Sequence, residues 1–372
     1  MIPSDELQAL LALTCTPHIG VVIGRQLIEG MGTAKAVYDY RTELPERMPG
    51  VRSSLVEALD CPAAMKRAEA EMDYMQKHHV TCIAINEPAY PSRLRECGDA
   101  PLVLYACGNV DLNTRHVVSI VGTRKATEYG RDLCAMFVHD LAQLCPDVLV
   151  VSGLAYGIDI ASHRAALLNG LPTVGVLAHG LDRIYPSVHR SVAAEMVRQG
   201  GLLTEYMSST EPERQNFVQR NRIVAGMADA TVVVESAVKG GALITAGIAL
   251  GYNRDCFAFP GRTGDPYSKG CNNLIRDNGA GLITSAEDFV KAMNWESSSD
   301  NANPIQESLF VELEPEELSV MTVLRREEDG VQINQLVVEC NIPVNRLSSI
   351  LFALEMKGLV RTLPGACYRA IG

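Results

Sequence analysis

The sequence predicts an α/β protein in which a doubly wound, mostly parallel sheet lies between an N-terminal helical domain and a C-terminal winged-helix domain. Three features carry this prediction. Apolar runs alternate with helical stretches in the middle of the chain, Gly-containing turns separate short helices before it, and an acidic linker precedes a helix-rich end. We therefore divide the 372 residues into 1–75, 76–295, 296–317 and 318–372.

The N-terminal segment is predicted to form short helices joined by two Gly-containing turns. Such helix pairs resemble tandem helix-hairpin-helix motifs of a SAM-like domain, in which the turn exposes backbone N–H groups to a DNA phosphate. The alternative is a small helical bundle that contacts another protein. The segment contains 11 acidic and 7 basic residues, and this acidic excess favours the alternative. The turns are Pro17-His18-Ile19-Gly20 and Met48-Pro49-Gly50-Val51.

The middle segment is predicted to form the sheet. Its strands are continuous apolar runs, so we expect helices on both faces. The loops that leave the carboxyl ends of such strands meet at one edge, where ligands bind. The predicted strands are Thr81–Ile85, Leu102–Ala106, Val117–Val121, Val148–Ser152, Thr173–Leu177, Leu202–Tyr206, Thr231–Glu235, Cys256–Pro260 and Leu282–Thr284.

The C-terminal segment has the order of a winged helix, with three helices followed by a β-ribbon. The third helix would direct Asn345, Arg346, Ser348 and Ser349 toward a groove, which is a sparse positive face for a DNA reader. We therefore expect contact with protein, or weak contact with DNA, rather than sequence-specific recognition. The predicted helices are Leu318–Glu328, Asn334–Cys340 and Val344–Lys357.

The net charge of −11 does not exclude a nucleic-acid partner, because the acidic excess is local. Residues 296–317 contain 7 acidic and no basic residues, whereas residues 76–295 contain 20 basic and 21 acidic residues. In the middle segment Arg outnumbers Lys by 15 to 5. Because Arg makes bidentate contacts with phosphate or carboxylate, this bias favours an anionic ligand.

The composition also excludes several classes of protein. No apolar run reaches the ~18 residues of a membrane-spanning helix, and the N-terminus has no basic-then-apolar signal pattern. The 11 cysteines include no C-x-x-C and lie scattered, some of them in apolar runs, as in a reducing compartment. We therefore expect a cytoplasmic protein that has no membrane contact, no metal and no cofactor.

Three Gly-rich turns follow predicted strands, and each could hold a phosphate with backbone N–H groups at a helix start. A fourth loop contains Ser152-Gly153, where Gly153 lets the backbone approach a ligand. In the same loop, Tyr156 precedes Asp159, which we expect to cap the next helix. The three turns are Gly122-Thr123-Arg124, Lys239-Gly240-Gly241, and Pro260-Gly261 through Gly270-Cys271-Asn272.

A predicted helix carries an aromatic ring among cationic and amide side chains, an arrangement that suits a single strand. The cations would hold the backbone while the ring stacks on a base. Alternatively, the ring enters the core and Arg220 or Arg222 pairs with a carboxylate such as Glu235. We expect one of these two arginines to be structural. The residues of this helix are Arg214, Phe217, Arg220, Asn221 and Arg222.

No catalytic motif is present in the sequence: G-x-S-x-G, H-E-x-x-H and the G-K-[ST] of a Walker loop are all missing. We therefore predict a binding protein and not an enzyme. Two alternatives use the same fold, a nucleotide phosphoribohydrolase-like enzyme and a nucleotide sensor. The turn at Gly240-Gly241-Ala242 departs from the G-G-x-G-T-x-x-E run of such hydrolases, which removes their catalytic Glu.

Taken together, these motifs resemble the DNA-processing protein A (DprA, or Smf) family. The resemblance covers the middle segment throughout and extends more loosely to both flanking domains. The matching stretches are Val121–Arg124 with Tyr129-Gly130, Ser152–Ala155 with Gly157–Asp159, Tyr185-Pro186, Phe217 with Arg220–Ile223, Gly240–Ala246 and Gly270–Ile275.

The resemblance implies a Rossmann-like fold and a protein that binds incoming single-stranded DNA in natural transformation, protects it and loads the RecA recombinase. It also implies a homodimer. By position, Arg124 resembles the family's phosphate-binding Arg and Phe217 its base-contacting aromatic. Arg214 lies where some members have a DNA-binding Lys, whereas Tyr156 replaces a basic residue. The predicted DNA contacts are Gly122, Thr123, Arg124, Ser152, Gly153, Tyr156, Arg214, Phe217, Arg220, Asn221, Arg222, Lys239, Gly240, Gly241 and Asn272.

Overall fold

A computed structural model describes residues 2–295, 315–326, 330–356, 359–363 and 366–370. The chain forms two compact units, Met1–Ser298 and Ser299–Gly372. Each unit is described by itself.

The first unit contains a nine-stranded sheet. From one edge to the other, its strands follow the order β1-β2-β6-β5-β4-β3-β7-β8-β9. Neighbouring strands from β6 to β9 pair in parallel, whereas β2 pairs antiparallel with both β1 and β6. The prediction of a mostly parallel, doubly wound sheet is therefore confirmed. The strands are β1 (Thr81–Ala84), β2 (Val103–Gly108), β3 (Val117–Val121), β4 (Leu149–Ser152), β5 (Thr173–Val176), β6 (Gly201–Thr204), β7 (Ala230–Val233), β8 (Asp255–Ala258) and β9 (Gly281–Leu282).

The helices of the first unit precede the sheet or cover its two faces. They are α1 (Ser4–Cys15), α2 (Val21–Met31), α3 (Ala34–Asp39), α4 (Leu44–Arg47), α5 (Ser53–Leu59), α6 (Pro62–His78), α7 (Ser92–Arg95), α8 (Glu128–Leu144), α9 (Ile158–Leu168), α10 (Arg190–Gln199), α11 (Arg214–Gly226), α12 (Gly241–Gly251), α13 (Lys269–Arg276) and α14 (Ala286–Ala292).

The order of the strands opens a crevice between β3 and β7. From β3 the chain builds β4, β5 and β6 in one direction, and β7 then pairs on the other side of β3. The helix that follows β3 packs in a core cluster on one face of the sheet, and the helix that follows β7 packs in the cluster on the other face. Because the two connections diverge, the carboxyl ends of β3 and β7 are left uncovered.

Helix α8 illustrates how the sequence builds these layers. Its apolar residues Leu133, Phe137 and Leu141 recur every four positions and are buried. At its start, the hydroxyl of Thr127 accepts a hydrogen bond from the backbone N–H of Gly130 at 3.0 Å. The ring of Phe137 meets that of Phe259, beyond β8, edge to face with a centroid separation of 5.4 Å.

The N-terminal helices share a core with the edge of the sheet. Leu11, Leu13 and Leu27 pack in the same buried cluster as Leu102 and Tyr105 of the β2 region. The two predicted turns lie where expected, because α2 follows the first and α5 follows the second. These helices are therefore continuous in packing with the antiparallel hairpin of β1 and β2.

The second unit has the helix and strand order of a winged helix, as predicted. Its strands form an antiparallel sheet in the order β10-β12-β11. The first helix begins at Pro315, inside the predicted linker, because Pro suits a first helical position and Glu316 and Glu317 suit the first turn. Residues 296–314 of that linker lie outside the described residues. The elements are α15 (Pro315–Leu324), β10 (Val331–Gln332), α16 (Ile333–Cys340), α17 (Val344–Met356), β11 (Val360–Leu363) and β12 (Cys367–Ala370).

The exposed face of α17 carries little free positive charge. Arg346 forms an ion pair with Glu316 at 2.7 Å. The hydroxyl groups of Ser348 and Ser349 donate to backbone carbonyl groups one turn earlier on their own helix. Contact of this face with protein, or weak contact with DNA, stays a prediction. Among the described helices, no single one is long and apolar enough to span a membrane, and only the pair α16 and α17, bent by 107°, meets that test jointly.

Candidate nucleic-acid interface

A cleft of about 550 Å³ lies at the carboxyl edge of the sheet, between β3 and β7. It is lined by the loops after β3, β4 and β5, by one side of α11 with Pro212 before it, and by the start of α12. Of the predicted DNA contacts, the cleft gathers Gly122, Thr123, Arg124, Gly153, Arg214, Phe217, Arg220, Asn221, Lys239, Gly240 and Gly241.

The centre of the cleft is the ring of Phe217. The guanidinium carbon of Arg124 lies 5.1 Å from the centroid of this ring, within cation–π range. Arg124 is exposed, and within the described part of the chain its guanidinium has no hydrogen bond or ion pair. Its charge is therefore available to an anion that enters the cleft.

Helix α11 presents further polar groups on the same side. Arg214 is the first residue of the helix, and Phe217 and Asn221 follow at intervals of three and four residues, which places all three on one face. Arg214 is exposed, and the Asn221 amide is half-buried. One face of α11 thus combines a cation, a ring and an amide.

The start of α12 presents backbone amides to the cleft. Gly240 is the N-cap residue and Gly241 the first residue of the helix. The first amides of a helix have no partner within that helix and carry its positive dipole end. A Cβ on Gly240 would collide with the Ser236 hydroxyl, whereas Gly241 borders open space. The N–H of Gly240 donates to the Ala237 carbonyl at 2.9 Å, so the amides of Gly241 and Ala242 are those that face the cleft. Lys239 is exposed beside them and adds a cation.

The turn after β3 cannot hold a phosphate in the same way, because a carboxylate already occupies the start of α8. The buried Glu235 accepts from the N–H of Thr127 at 2.9 Å and from its hydroxyl at 2.5 Å. The backbone N–H of Thr123 donates to the Glu235 carbonyl group at 2.8 Å. The Arg124 side chain of this turn is exposed, and among the described residues it makes no hydrogen bond or ion pair, so it is open to a ligand.

The third predicted turn is also used internally. The Asn272 amide closes it, since its oxygen accepts from the Gly261 N–H at 3.0 Å and its nitrogen donates to the Gly261 carbonyl at 2.9 Å. The N–H of Gly270 donates to the Ser236 carbonyl at 2.8 Å. Asn272 lies outside the lining of the cleft, so the prediction that it contacts DNA does not fit this structure.

Arg220 forms the floor of the cleft and is 3% exposed. Its guanidinium donates to the Gly153 carbonyl at 2.6 Å and to the Val176 carbonyl. A Cβ on Gly153 would collide with this guanidinium. Burial lowers the pKa of Arg220 to about 10 and raises that of the neighbouring Asp159 carboxyl, while their mutual attraction opposes both shifts. Arg220 is therefore a structural cation and not an exposed DNA contact.

Arg222 is structural as well. It forms an ion pair with Glu205, and it donates to the Asp99 carbonyl at 2.7 Å. The sequence predicted that one of the two arginines is structural, but both are. The carboxylate that pairs with Arg222 is Glu205 and not Glu235. Both pairings join residues that are distant in the sequence.

Besides Arg222 and Asn272, two further predicted contacts lie outside the cleft lining. The Ser152 hydroxyl is buried and donates to the Ile120 carbonyl at 2.6 Å, which makes it a bond between strands. Tyr156 is 47% exposed, and its ring meets that of His189 at a centroid distance of 5.1 Å. The prediction that Asp159 caps α9 is wrong, because Gly157 is the N-cap residue and Asp159 lies within the first turn, where its carboxylate accepts from the N–H of Ala155 at 3.4 Å.

Tyr185 is a lining residue to which the sequence assigned no role. Its ring lies 5.8 Å from that of Phe217, and it is 47% exposed. The signal was available, because Tyr185 follows β5 at the ligand-binding edge of the sheet. An exposed aromatic residue in such a loop offers a second surface for a base.

A buried histidine beneath the cleft should make stability depend on pH. His163 is fully buried, and its Nδ1 donates to the Thr173 hydroxyl at 2.7 Å, since that hydroxyl itself donates to the Val150 carbonyl. Its Nε2 has no partner within the described residues. Burial lowers the pKa of His163 to about 3.

The neutral form of His163 is therefore favoured in the fold, so stability is complete above the unfolded pKa and is lost as the pH falls toward 3. We expect His163 to reduce the free energy of unfolding by about 1.4 kcal/mol per pH unit below pH ~6.5. Urea denaturation at several pH values should give a flatter profile for His163→Gln. The exposed His139→Gln serves as control, and equal slopes for His163→Gln and the wild-type protein would refute the assignment.

Comparisons with known proteins agree with this fold. Residues 81–294 match the family model described as DNA recombination-mediator protein A, and residues 307–366 match the DprA winged helix domain. The chain is 44% identical over 202 residues to a putative DNA processing protein DprA of Mycobacterium tuberculosis, a match that covers 54% of this chain and 51% of that protein. The match thus spans about half the length of the mycobacterial relative.

Longer matches exist among the relatives and the solved structures. Protein Smf of Escherichia coli is 31% identical over 313 residues, covering 82% of this chain and 81% of that protein. The X-ray structure of DprA from Streptococcus pneumoniae has a TM-score of 0.61 and 30% identity, covering 78% and 98% of the two chains. A structure of the Helicobacter pylori protein, described for its single-stranded DNA binding mode, has a TM-score of 0.52 and 28% identity, covering 58% and 95%. The chain belongs to the DNA recombination-mediator protein A (DprA) family.

Proposed function

We propose that the cleft binds single-stranded DNA. The observation that carries this proposal is the free guanidinium of Arg124, 5.1 Å above the half-buried ring of Phe217 and in the same cleft as the start of α12. A phosphate would bind at the N–H groups of Gly241 and Ala242, between Arg124 and Lys239. The adjacent base would stack on Phe217.

The shape of the cleft favours an unpaired strand. Phe217 lies within the cleft and not on a convex surface, so a base must leave its stack and its partner to reach the ring. The groups that would hold the strand are guanidinium, ammonium and backbone N–H, which recognise phosphate and not base edges. Binding should therefore be only mildly dependent on sequence. The Helicobacter pylori relative, described for its single-stranded DNA binding, supports the same assignment.

Titration with matched oligonucleotides tests the proposal. Fluorescence anisotropy with single-stranded and double-stranded forms of one sequence, each at two salt concentrations, should show tighter binding of the single strand and a loss of affinity as salt rises. Equal affinity for both forms would contradict the proposal. Release of free base from nucleoside monophosphates would instead support a hydrolase, and micromolar binding of a small nucleotide without DNA binding would support a sensor.

Replacing Phe217 with Ala should reduce the affinity for single-stranded DNA by about 1–3 kcal/mol, because the stacking surface for one base is lost. The matched control is Phe217→Tyr, which keeps the ring and should bind within about threefold of the wild-type protein. Anisotropy titrations at one salt concentration measure both variants. A negligible loss in Phe217→Ala would show that bases stack elsewhere.

We further propose that the protein acts on incoming DNA during natural transformation, protects it, and loads the RecA recombinase onto it as a homodimer. The support is membership of a family described as recombination mediators. Strand exchange by RecA on DNA covered with single-strand-binding protein should start sooner when this protein is present. Light scattering after size-exclusion chromatography should give twice the chain mass of 40.3 kDa. An unchanged lag would contradict loading, and a mass of one chain would contradict the dimer.

A further inference from the structure

The loop between β6 and α11, residues 205–213, contributes to the wall of the cleft, and we name it the support loop. It leads directly into Arg214 and Phe217, and its Pro212 lines the cleft. Any shift of this loop would therefore move the start of α11. The groups that hold the loop in place decide where the cation and the ring of the cleft lie.

The N-terminal helical segment is hydrogen-bonded to the support loop through Glu71 of α6. This carboxylate is 1% exposed. Its oxygens accept from the backbone N–H of Ser208 at 3.0 Å and from the Ser208 hydroxyl at 2.6 Å. Arg67, one turn earlier, pairs with Glu71 at 3.0 Å and donates to the Ser208 carbonyl at 2.5 Å. All the polar groups of Ser208 are therefore bound by two side chains of one helix.

A hydrogen bond and an ion pair hold the other side of the same loop. The N–H of Ser209 donates to Asp182 at 2.8 Å, and Arg183 pairs with Glu211 at 2.5 Å. Ser209 has a φ of +63°, a conformation that a serine adopts only when its surroundings impose it. Asp182 and Arg183 belong to the loop that also carries Tyr185. The contacts with α6 and those with the loop of Asp182 and Arg183 together fix the support loop beside the cleft.

We propose that Glu71 is a positioning residue for the cleft, through which the N-terminal helical segment sets the location of Arg214 and Phe217. This inference rests on the proposed binding of single-stranded DNA. Glu71 itself lies outside the cleft lining and touches no ligand there. Its effect runs from α6 through Ser208 to the start of α11, and it acts by ordering these contacts before DNA arrives.

The substitution Glu71→Gln tests this role without leaving a cavity. The amide keeps the shape of the carboxylate, but its NH₂ group must face either the Ser208 N–H or the Arg67 guanidinium, both of which are donors. We expect an affinity for single-stranded DNA about tenfold lower, with an unchanged slope of log affinity against log salt, because no phosphate contact is removed. Hydrogen exchange at residues 205–217 should accelerate, while exchange in β3 and β4 should not.

The matched control is Arg93→Met, which also breaks a partly buried ion pair. Arg93 pairs with Asp229 at 2.6 Å, and Asp229 accepts from the Val117 N–H at 2.9 Å, at the opposite end of the strands from the cleft. This variant should melt at a lower temperature and yet bind DNA like the wild-type protein. If Glu71→Gln fails to fold, Arg67→Met is the second variant. It removes the contacts of Arg67 with Glu71 and with the Ser208 carbonyl, from a position whose side chain is 34% exposed.

The outcomes separate this inference from the proposed function. Weaker binding in Glu71→Gln but not in Arg93→Met supports the positioning role. Wild-type affinity in Glu71→Gln, or an equal loss of affinity in both variants, overturns the positioning role. The proposed function would still stand if the wild-type protein binds single-stranded DNA and Arg124→Ala does not. Absence of binding by the wild-type protein overturns both.

Discussion

Replacement of Arg220 by Met is expected to lower the free energy of unfolding by about 2–6 kcal/mol, because two buried carbonyl acceptors lose their charged donor at about 1–3 kcal/mol each. The guanidinium is 3% exposed and donates to the carbonyl groups of Gly153 and Val176. Without it these two acceptors lose their donor, and the carboxyl of Asp159 loses its nearest positive charge. Methionine fills part of the volume but replaces none of the hydrogen bonds.

Urea denaturation of Arg220→Met and Arg214→Met measures this effect under identical conditions. The two arginines lie on the same helix, but Arg214 is exposed, so its replacement should change stability by no more than about 0.5 kcal/mol. The comparison keeps helix propensity and the side-chain change constant. A similar midpoint for the two variants would show that the buried guanidinium does not hold the floor of the cleft.

Replacement of Arg124 by Ala should weaken the binding of single-stranded DNA by roughly ten- to hundredfold, the range of a hydrogen bond to a charged group. The free guanidinium beside Phe217 is the cation nearest to the expected base and lies in the same cleft as the expected phosphate site. The slope of log affinity against log salt should fall in magnitude by about 0.7, the value for one phosphate contact to a single strand.

Lys125→Ala is the matched control for Arg124→Ala. Lys125 is the next residue and is exposed, but it does not line the cleft. Its replacement by Ala removes one positive charge, as Arg124→Ala does. A general effect of net charge would weaken both variants equally, whereas a specific contact would weaken only Arg124→Ala. Unchanged affinity in Arg124→Ala at moderate salt would place the strand on another surface.

Much of the fold could be predicted from the sequence because its determinants are local. Runs such as Val117–Val121 are apolar throughout, which is the pattern of a strand covered on both faces. The spacing of Leu133, Phe137 and Leu141 is that of a helix with one buried face. The winged helix followed from the same kind of local pattern.

Predictions for individual site residues were less successful wherever partners come from distant parts of the chain. Arg214 and Arg220 share a helix and a side-chain type, yet the first is exposed and the second is buried against Gly153 and Val176. Likewise, glycine-rich turns resemble one another in sequence. Only folding brings Glu235 to the start of α8 while the start of α12 remains open.

The sequence by itself determined the alternation of strands and helices, the ligand-binding edge, and the residue types gathered there, because these depend on periodicity and on the order of the strands. Tertiary structure decided which of those side chains are free. A cation buried beside carbonyl groups exchanges its water for fixed partners and becomes part of the fold, whereas one left in a cleft keeps its charge for a ligand. That distinction depends on contacts between residues far apart in the chain, such as Arg220 with Gly153 and Glu71 with Ser208.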